Sequence, residues 1–300
     1  MASTSYPKQE TISYSDSSTL NTVSLYLPAP PKANDSSRLW LLYIHGGAWR
    51  DPLISASSFD STQKHLLASP SASKIAAIAS LNYRLSPYAH HPSSPSSPDD
   101  PARNARHPDH VNDILAAILH LQEKYHFSDR YVLIGHSCGA TLALQVAMRR
   151  YWGSQYESTF ALELNVEPPL AVIGAEGIYD IPALIKEYEA IPAYRDFVAN
   201  AFGHDEKVWK HASPSSADFG ESWPDGRMVV LIHSEDDELV SLRQPESILG
   251  VLREQGWEEQ KGSERRVKFV KVKGLGHDEV WQDGKVFAEE IERMVDELLA

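Results

Sequence analysis

Ser137 stands at the centre of Gly135-His136-Ser137-Cys138-Gly139. The apolar run Tyr131-Val132-Leu133-Ile134 precedes it and a helical pattern, Ala140 to Arg149, follows. A serine between two glycines in that context is the pattern of a nucleophile held on a tight strand-to-helix turn. Such a turn is strained and brings its backbone close to neighbouring elements, which is why small residues flank it. It would present Oγ at the C-terminal edge of a sheet, where open α/β sheets bind ligands. The bland alternative for the same residues is a tight turn carrying an inert serine.

A serine hydroxyl needs a base, and the base needs an orienting carboxylate. On elbows of this type the chain order is serine, then Asp or Glu, then His. Ser234-Glu235-Asp236-Asp237-Glu238-Leu239-Val240 follows the apolar run Met228 to Ile232. Four acids crowd there. The acid-x-x-Val spacing selects Asp237, Asp236 is its nearest competitor, and the other two read as solvated loop charges. The base should follow the last strand. Gly274-Leu275-Gly276-His277-Asp278 comes straight after Val267 to Val272, and no other histidine lies beyond Asp237.

His45-Gly46-Gly47-Ala48-Trp49 follows the apolar run Leu39 to Ile44. Backbone N–H groups around Gly46 and Gly47, together with that of Cys138 after the nucleophile, are the expected oxyanion hole. Each such donor is worth roughly 3–4 kcal/mol of transition-state stabilisation. His45 belongs to the loop and is expected to support its shape rather than act as the base. Trp49 reads equally well as a core aromatic or as a wall of the substrate site.

The elements that must position these residues alternate between two periods. Val23 to Leu27, Leu39 to Ile44, Ile75 to Leu81, Tyr131 to Ile134, Leu170 to Ile173, Met228 to Ile232 and Val267 to Val272 are short apolar runs, several nearly continuous, as strands covered on both faces should be. Val111, Ile114, Leu115, Ile118 and Leu119 mark one helical face, and Phe287, Ile291, Met294, Val295 and Leu298 another. The alternation predicts a single α/β domain over residues 1–300, with a mostly parallel central sheet and helices on both faces. Residues 88–108, rich in Pro and Ser, read as a surface loop, and its histidines, His90, His91 and His107, lack metal-site spacing. Residues 151–223 are either a small cap over the site or a long crossover. His110 and Asp113 are expected to cap or pack a helix. His204, His211 and His233 have no partner spacing.

The 300 residues carry a net formal charge of −13, which argues against nucleic acid or an anionic membrane surface as partner. The one cysteine, Cys138, excludes an internal disulfide and argues against cysteine-bound zinc. No Walker loop, dinucleotide fingerprint or H-E-x-x-H occurs. The N-terminus lacks an apolar signal core and no apolar run reaches membrane-span length, so a cytoplasmic location is expected. The sequence leaves the oligomeric state, a homodimer included, undetermined.

Together these residues resemble the α/β-hydrolase superfamily, from about Val23 to the C-terminus. His45-Gly46-Gly47 is similar to the oxyanion loop of hormone-sensitive-lipase-like esterases, many of which carry a further glycine where this chain has Ala48-Trp49. The form HGGxW resembles kynurenine formamidase (arylformamidase), its fungal members in particular. Asn82-Tyr83-Arg84-Leu85-Ser86-Pro87, the run Gly135 to Leu142 and His233 to Leu239 resemble that family too, although the first also occurs in related esterases. The resemblance implies hydrolysis of N-formyl-L-kynurenine to L-kynurenine and formate, a step of tryptophan degradation that feeds NAD synthesis. It implies Ser137 as nucleophile, Asp237 as acid and His277 as base, a small-molecule substrate, and neither metal nor organic cofactor. The alternatives are a general carboxylesterase with the same triad and a ligand-binding protein on a retired hydrolase fold.

Overall fold

The computed structural model describes residues 6–148 and 165–300. Its strands are β1 (Lys8–Ser13), β2 (Thr22–Leu27), β3 (Leu39–Ile44), β4 (Ile75–Leu81), β5 (Tyr131–His136), β6 (Ala171–Ala175), β7 (Met228–Ser234) and β8 (Arg266–Val272). They form one sheet in the order β1-β2-β4-β3-β5-β6-β7-β8. β1 pairs antiparallel with β2, and β2 with β4. The remaining pairings are parallel, as the alternating pattern predicts. The strand that sequence reading missed is β1. Lys8-Gln9-Glu10-Thr11-Ile12-Ser13 has no buried residue, so an edge strand of this kind leaves no apolar signature.

Why the inner strands read as continuous apolar runs is plain in β3, every residue of which is buried. Trp40, Leu42 and Ile44 face one core layer, whereas Leu39, Leu41 and Tyr43 face the other. The period of two thus survives, but both faces are covered, so it is invisible in hydropathy. On one face, helices α1 (Asp60–Ala68) and α8 (Lys285–Leu298) cover Tyr43, which stacks on Phe59 at 4.4 Å and meets Phe287 edge-on. On the other lie α2 (Asp109–Tyr125), α3 (Cys138–Ala147) and α7 (Arg243–Glu254). All ten residues of α3 are buried. α4 (Ile181–Glu187), α5 (Pro192–Phe202) and α6 (Glu206–Ala212) lie between β6 and β7.

Parallel pairing sends the C-terminal ends of β3, β5, β6, β7 and β8 to the same edge of the sheet. The loops that begin at His45, Ser137, Glu176, Glu235 and Lys273 therefore converge, though they are far apart in the chain.

Residues 88–108 carry one regular feature, a 3-10 turn at Pro101–Arg103. The segment is tied internally. Ser96 N–H donates to the Tyr88 carbonyl at 3.1 Å, and the Asn104 amide donates to the carbonyls of Ser97, Pro98 and Asp100. Of the 151–223 segment, residues 151–164 lie outside the described residues, as does Arg149 at the end of the helical run expected after the serine. Among the described residues no helix is long and apolar enough to cross a membrane.

Candidate active site

Ser137 sits between β5 and α3 with φ 53° and ψ −125°. That backbone conformation is costly for a residue with a side chain. Packing around the turn enforces it. A Cβ on Gly135 would lie 2.3 Å from the Gly139 carbonyl oxygen, and one on Gly139 only 2.2 Å from that of Ile44. Both glycines are demanded by backbone contact, the second because α3 rests directly on the end of β3. Ser137 N–H donates to the Ala175 carbonyl at 2.8 Å, which ties the turn to β6.

His277 and Asp237 meet across the β7 and β8 loops. Nδ1–H of His277 donates to Asp237 Oδ2 at 2.8 Å, leaving Nε2 as the basic nitrogen. Asp237 Oδ1 accepts from the N–H groups of Leu239 and Val240, 2.8 Å each, which explains the acid-x-x-Val spacing. Burial opposes ionisation of Asp237, but the hydrogen bonds from His277 and Glu176 outweigh it and hold the carboxyl well below the usual range. The other three acids have different work. Asp236 accepts from Gly274 N–H at 2.6 Å, Glu238 accepts from His277 N–H at 3.0 Å, and Glu235 pairs with Lys273. Asp236 thus anchors the base loop and makes no contact with the imidazole.

The 45–49 loop packs against the nucleophile turn: a Cβ on Gly46 would fall 3.0 Å from Ser137 Cβ. Gly47 has φ +94° and lines the cavity at Ser137. Cys138 opens α3, so its N–H is among those a helix leaves without an internal acceptor. Its buried thiol is pushed up to about 11 by desolvation and stays protonated. His45 stacks on Tyr83, its Nδ1 lies 2.9 Å from the Gly46 carbonyl, and burial lowers it to about 4. Tyr83 donates from its hydroxyl to the carbonyls of His45 and Gly46.

Trp49 is a correction to the substrate-wall reading. It is 0% exposed, packs against Phe197 and Phe202, and does not line the cavity. Its backbone turns at φ 58°, which sends the ring inward and leaves Arg50 as the next residue on the cavity wall.

The cavity, about 280 Å³, is bordered by Ser137 and His277. Tyr88, Tyr194 and Phe197 supply aromatic surface, Arg50 a cation, and Asp51 and Asp278 carboxylates. The Arg50 guanidinium lies 3.9 Å above the Tyr88 ring and pairs with Asp196. Sequence reading missed these residues because no local motif contains them. Arg50 adjoins HGGxW, but nothing in the sequence says where it points.

Two other histidines support the site from behind. His136 Nε2–H donates to the His277 carbonyl at 2.9 Å, and burial holds its ring at about 3. His233 Nε2–H donates to the Val240 carbonyl at 2.7 Å, with its ring also lowered by burial. Elsewhere, Asp113 takes a bidentate pair from Arg84, and His110 is 2.9 Å from Ser86 Oγ. Among the described residues, two clusters bring three ligand-type atoms within 4.8 Å: His136, His277, Asp278 and Glu176, His233, Asp237. Hydrogen bonds within the chain already engage all three residues of the second.

A model described as the alpha/beta hydrolase family matches residues 41–290. The chain is 38% identical to a kynurenine formamidase-like hydrolase of Fusarium equiseti, over 94% of this chain and 92% of that one. It is 36% identical to a kynurenine formamidase of Aspergillus versicolor, over 82% and 88%. A truncated carbohydrate esterase from gut microbiota superposes with a TM-score of 0.65 at 20% identity, covering 98% of this chain and 99% of that one. At that identity the superposition speaks for the fold alone. The sheet order, the elbow at Ser137 and relatives matched over nearly the whole length agree, and the protein belongs to the alpha/beta hydrolase family, within its fungal-type kynurenine formamidase branch.

Proposed function

We propose that the protein hydrolyses N-formyl-L-kynurenine to L-kynurenine and formate, with Ser137, His277 and Asp237 as the triad. The observation that carries this reading is the wall around Ser137 and His277. Aromatic surface from Tyr88, Tyr194 and Phe197 stands beside the Arg50 cation and the Asp51 and Asp278 carboxylates. An aryl ketone bearing an α-amino acid offers the matching pieces: a ring, a carboxylate and an ammonium group. The names of the relatives supply the formamide.

In this reading His277 Nε2 takes the proton from Ser137 Oγ as Oγ attacks the formyl carbon. The oxyanion is held by N–H groups of Gly46, Gly47 and Cys138. The carbon–nitrogen bond breaks as His277 returns the proton to the aryl amine, leaving a formyl ester on Ser137. Water, deprotonated by His277, attacks that ester and releases formate. Asp237 holds the imidazole tautomer and stabilises the imidazolium throughout. The aniline nitrogen is a better leaving group than an alkyl amine, so an esterase-like site suffices. In this reading the 151–223 segment is a small cap, supported by α5, which walls the cavity. The enzyme works on a diffusible amino acid in the cytoplasm.

The test is turnover of N-formyl-L-kynurenine beside p-nitrophenyl acetate, with Ser137→Ala as blank. The reading expects kcat/KM for the formamide to exceed that for the ester, and both to vanish in the variant. Turnover of the ester alone would leave a carboxylesterase. Near-normal turnover by folded Ser137→Ala would end the mechanism.

A further inference from the structure

Glu176 follows β6 directly and is 0% exposed. Its backbone has φ 49°, the left-handed region that a glutamate enters only when its surroundings compel it. Ser234 N–H donates to both carboxyl oxygens, at 2.9 and 3.2 Å. His233 Nε2 lies 3.3 Å from Glu176 Oε2 and 3.4 Å from Asp237 Oδ2, so the two carboxyl groups converge on one imidazole nitrogen with oxygens within 4.8 Å of each other. Two buried carboxyl groups this close repel when both are ionised, and they can share a hydrogen bond only if one carries a proton.

We infer that Glu176 is a positioning residue of the site: a neutral carboxylic acid that donates its proton to Asp237 and so holds the carboxylate facing His277. The inference rests on the triad reading above.

Charge balance decides which group keeps the proton. The titratable groups facing Glu176 are Asp237 and Glu238 from the β7 loop, His233 on β7, Tyr179 beyond β6 and, through Asp237, His277. Among the described residues no lysine or arginine joins them, and His233 is a neutral Nε2–H tautomer bound to the Val240 carbonyl. Asp237 receives two backbone N–H groups and the imidazole, a setting that stabilises an anion, whereas Glu176 receives one N–H. Burial first, then the neighbouring Asp237, pushes Glu176 far above the usual carboxyl range. The proton belongs to Glu176. Asp237 is then gripped by the Leu239 and Val240 N–H groups, His277 and Glu176, with a single negative charge behind the imidazole.

Glu176→Gln keeps a donor toward Asp237 and an acceptor for Ser234 N–H. Glu176→Leu keeps neither. With N-formyl-L-kynurenine, Glu176→Leu should lose about 10–100-fold in kcat with KM within about two-fold, the signature of a misaimed base. Glu176→Gln should recover about ten-fold or more of that loss and keep the acid limb of the pH–rate profile within about 0.3 pH of wild type. A neutral Glu176 also penalises the fold wherever the unfolded chain would ionise it. Glu176→Gln should therefore melt above wild type at pH 8, the gap closing toward about pH 4.5.

An acid limb displaced by about one pH unit or more in Glu176→Gln would mean a charged Glu176 and overturn the inference. Full kcat in Glu176→Leu would overturn it as well. Should Glu176→Leu not fold, the Gln profile still decides. If wild type hydrolyses no formamide, the functional reading fails, while the melting comparison and the pH profile with p-nitrophenyl acetate still judge Glu176.

Discussion

Nε2 of His136, in the variable slot before the nucleophile, lies 2.9 Å from the backbone carbonyl of His277. The two imidazoles sit 4.8 Å apart. A residue of the elbow thus holds the loop that carries the base, so the separation of nucleophile and base is set by a direct strut. His136→Leu removes the donor at similar bulk. We expect kcat to fall by up to ~100-fold while the fold persists, because small misplacements at a reacting centre are costly. Wild-type kcat in a folded His136→Leu protein would show that the strut is dispensable.

Asp237→Asn should separate the two neighbouring acids. It leaves the backbone acceptor at Oδ1 but allows the amide to face His277 Nδ1, favouring the wrong tautomer. A loss of about 10⁴ in kcat is the expected scale for such a change. Asp236→Asn, by contrast, disturbs only the bond to Gly274 N–H and should cost less than about ten-fold. Equal losses in the two variants would contradict this assignment.

Arg50 is the cation on the cavity wall, stacked on Tyr88 and paired with Asp196. A substrate carboxylate can take the place of Asp196, whose side chain is 57% exposed and loses little on release. Arg50→Met should lower the ratio of kcat/KM for N-formyl-L-kynurenine to that for p-nitrophenyl acetate by roughly 10–100-fold, the value of a charge-assisted pair. An unchanged ratio would place recognition of the amino-acid end elsewhere.

Acid should unfold the protein early. Burial holds His45 at about 4 and His107, His110 and His136 at about 3, so all four are neutral in the native state. Once unfolded they bind protons below about 6.5. The unfolded state then holds more protons than the native one, and stability falls as pH drops from about 6.5 toward 4, by up to ~1.4 kcal/mol per pH unit for each histidine. Calorimetric Tm measured from pH 7.5 to 5 should decline steeply below about 6.5. A flat Tm down to pH 5 would contradict neutral burial.

What the sequence by itself determined is local or ordinal. Ser137 is legible because a strained strand-to-helix turn needs glycines within two residues on each side. The strands are legible because burial on both faces demands unbroken apolar runs. Once the sheet is parallel, its C-terminal loops must share one edge, so the order serine, acid, histidine carries spatial meaning. Only the tertiary structure decided where loop side chains point. For Asp237 the acid-x-x-Val spacing had already made the choice over Asp236, and the structure supplies its reason: backbone N–H groups of Leu239 and Val240 capture Oδ1 and leave Oδ2 to His277. Trp49 turns inward and Arg50 takes the wall because the loop enters the left-handed region there. The roles of Glu176, His136 and His233 were not legible, since Glu176 and His136 act through the loops of other strands and His233 through a carbonyl seven residues on, contacts that only folding makes. Hydropathy records how much of a residue is buried, but not which polar atom waits opposite it.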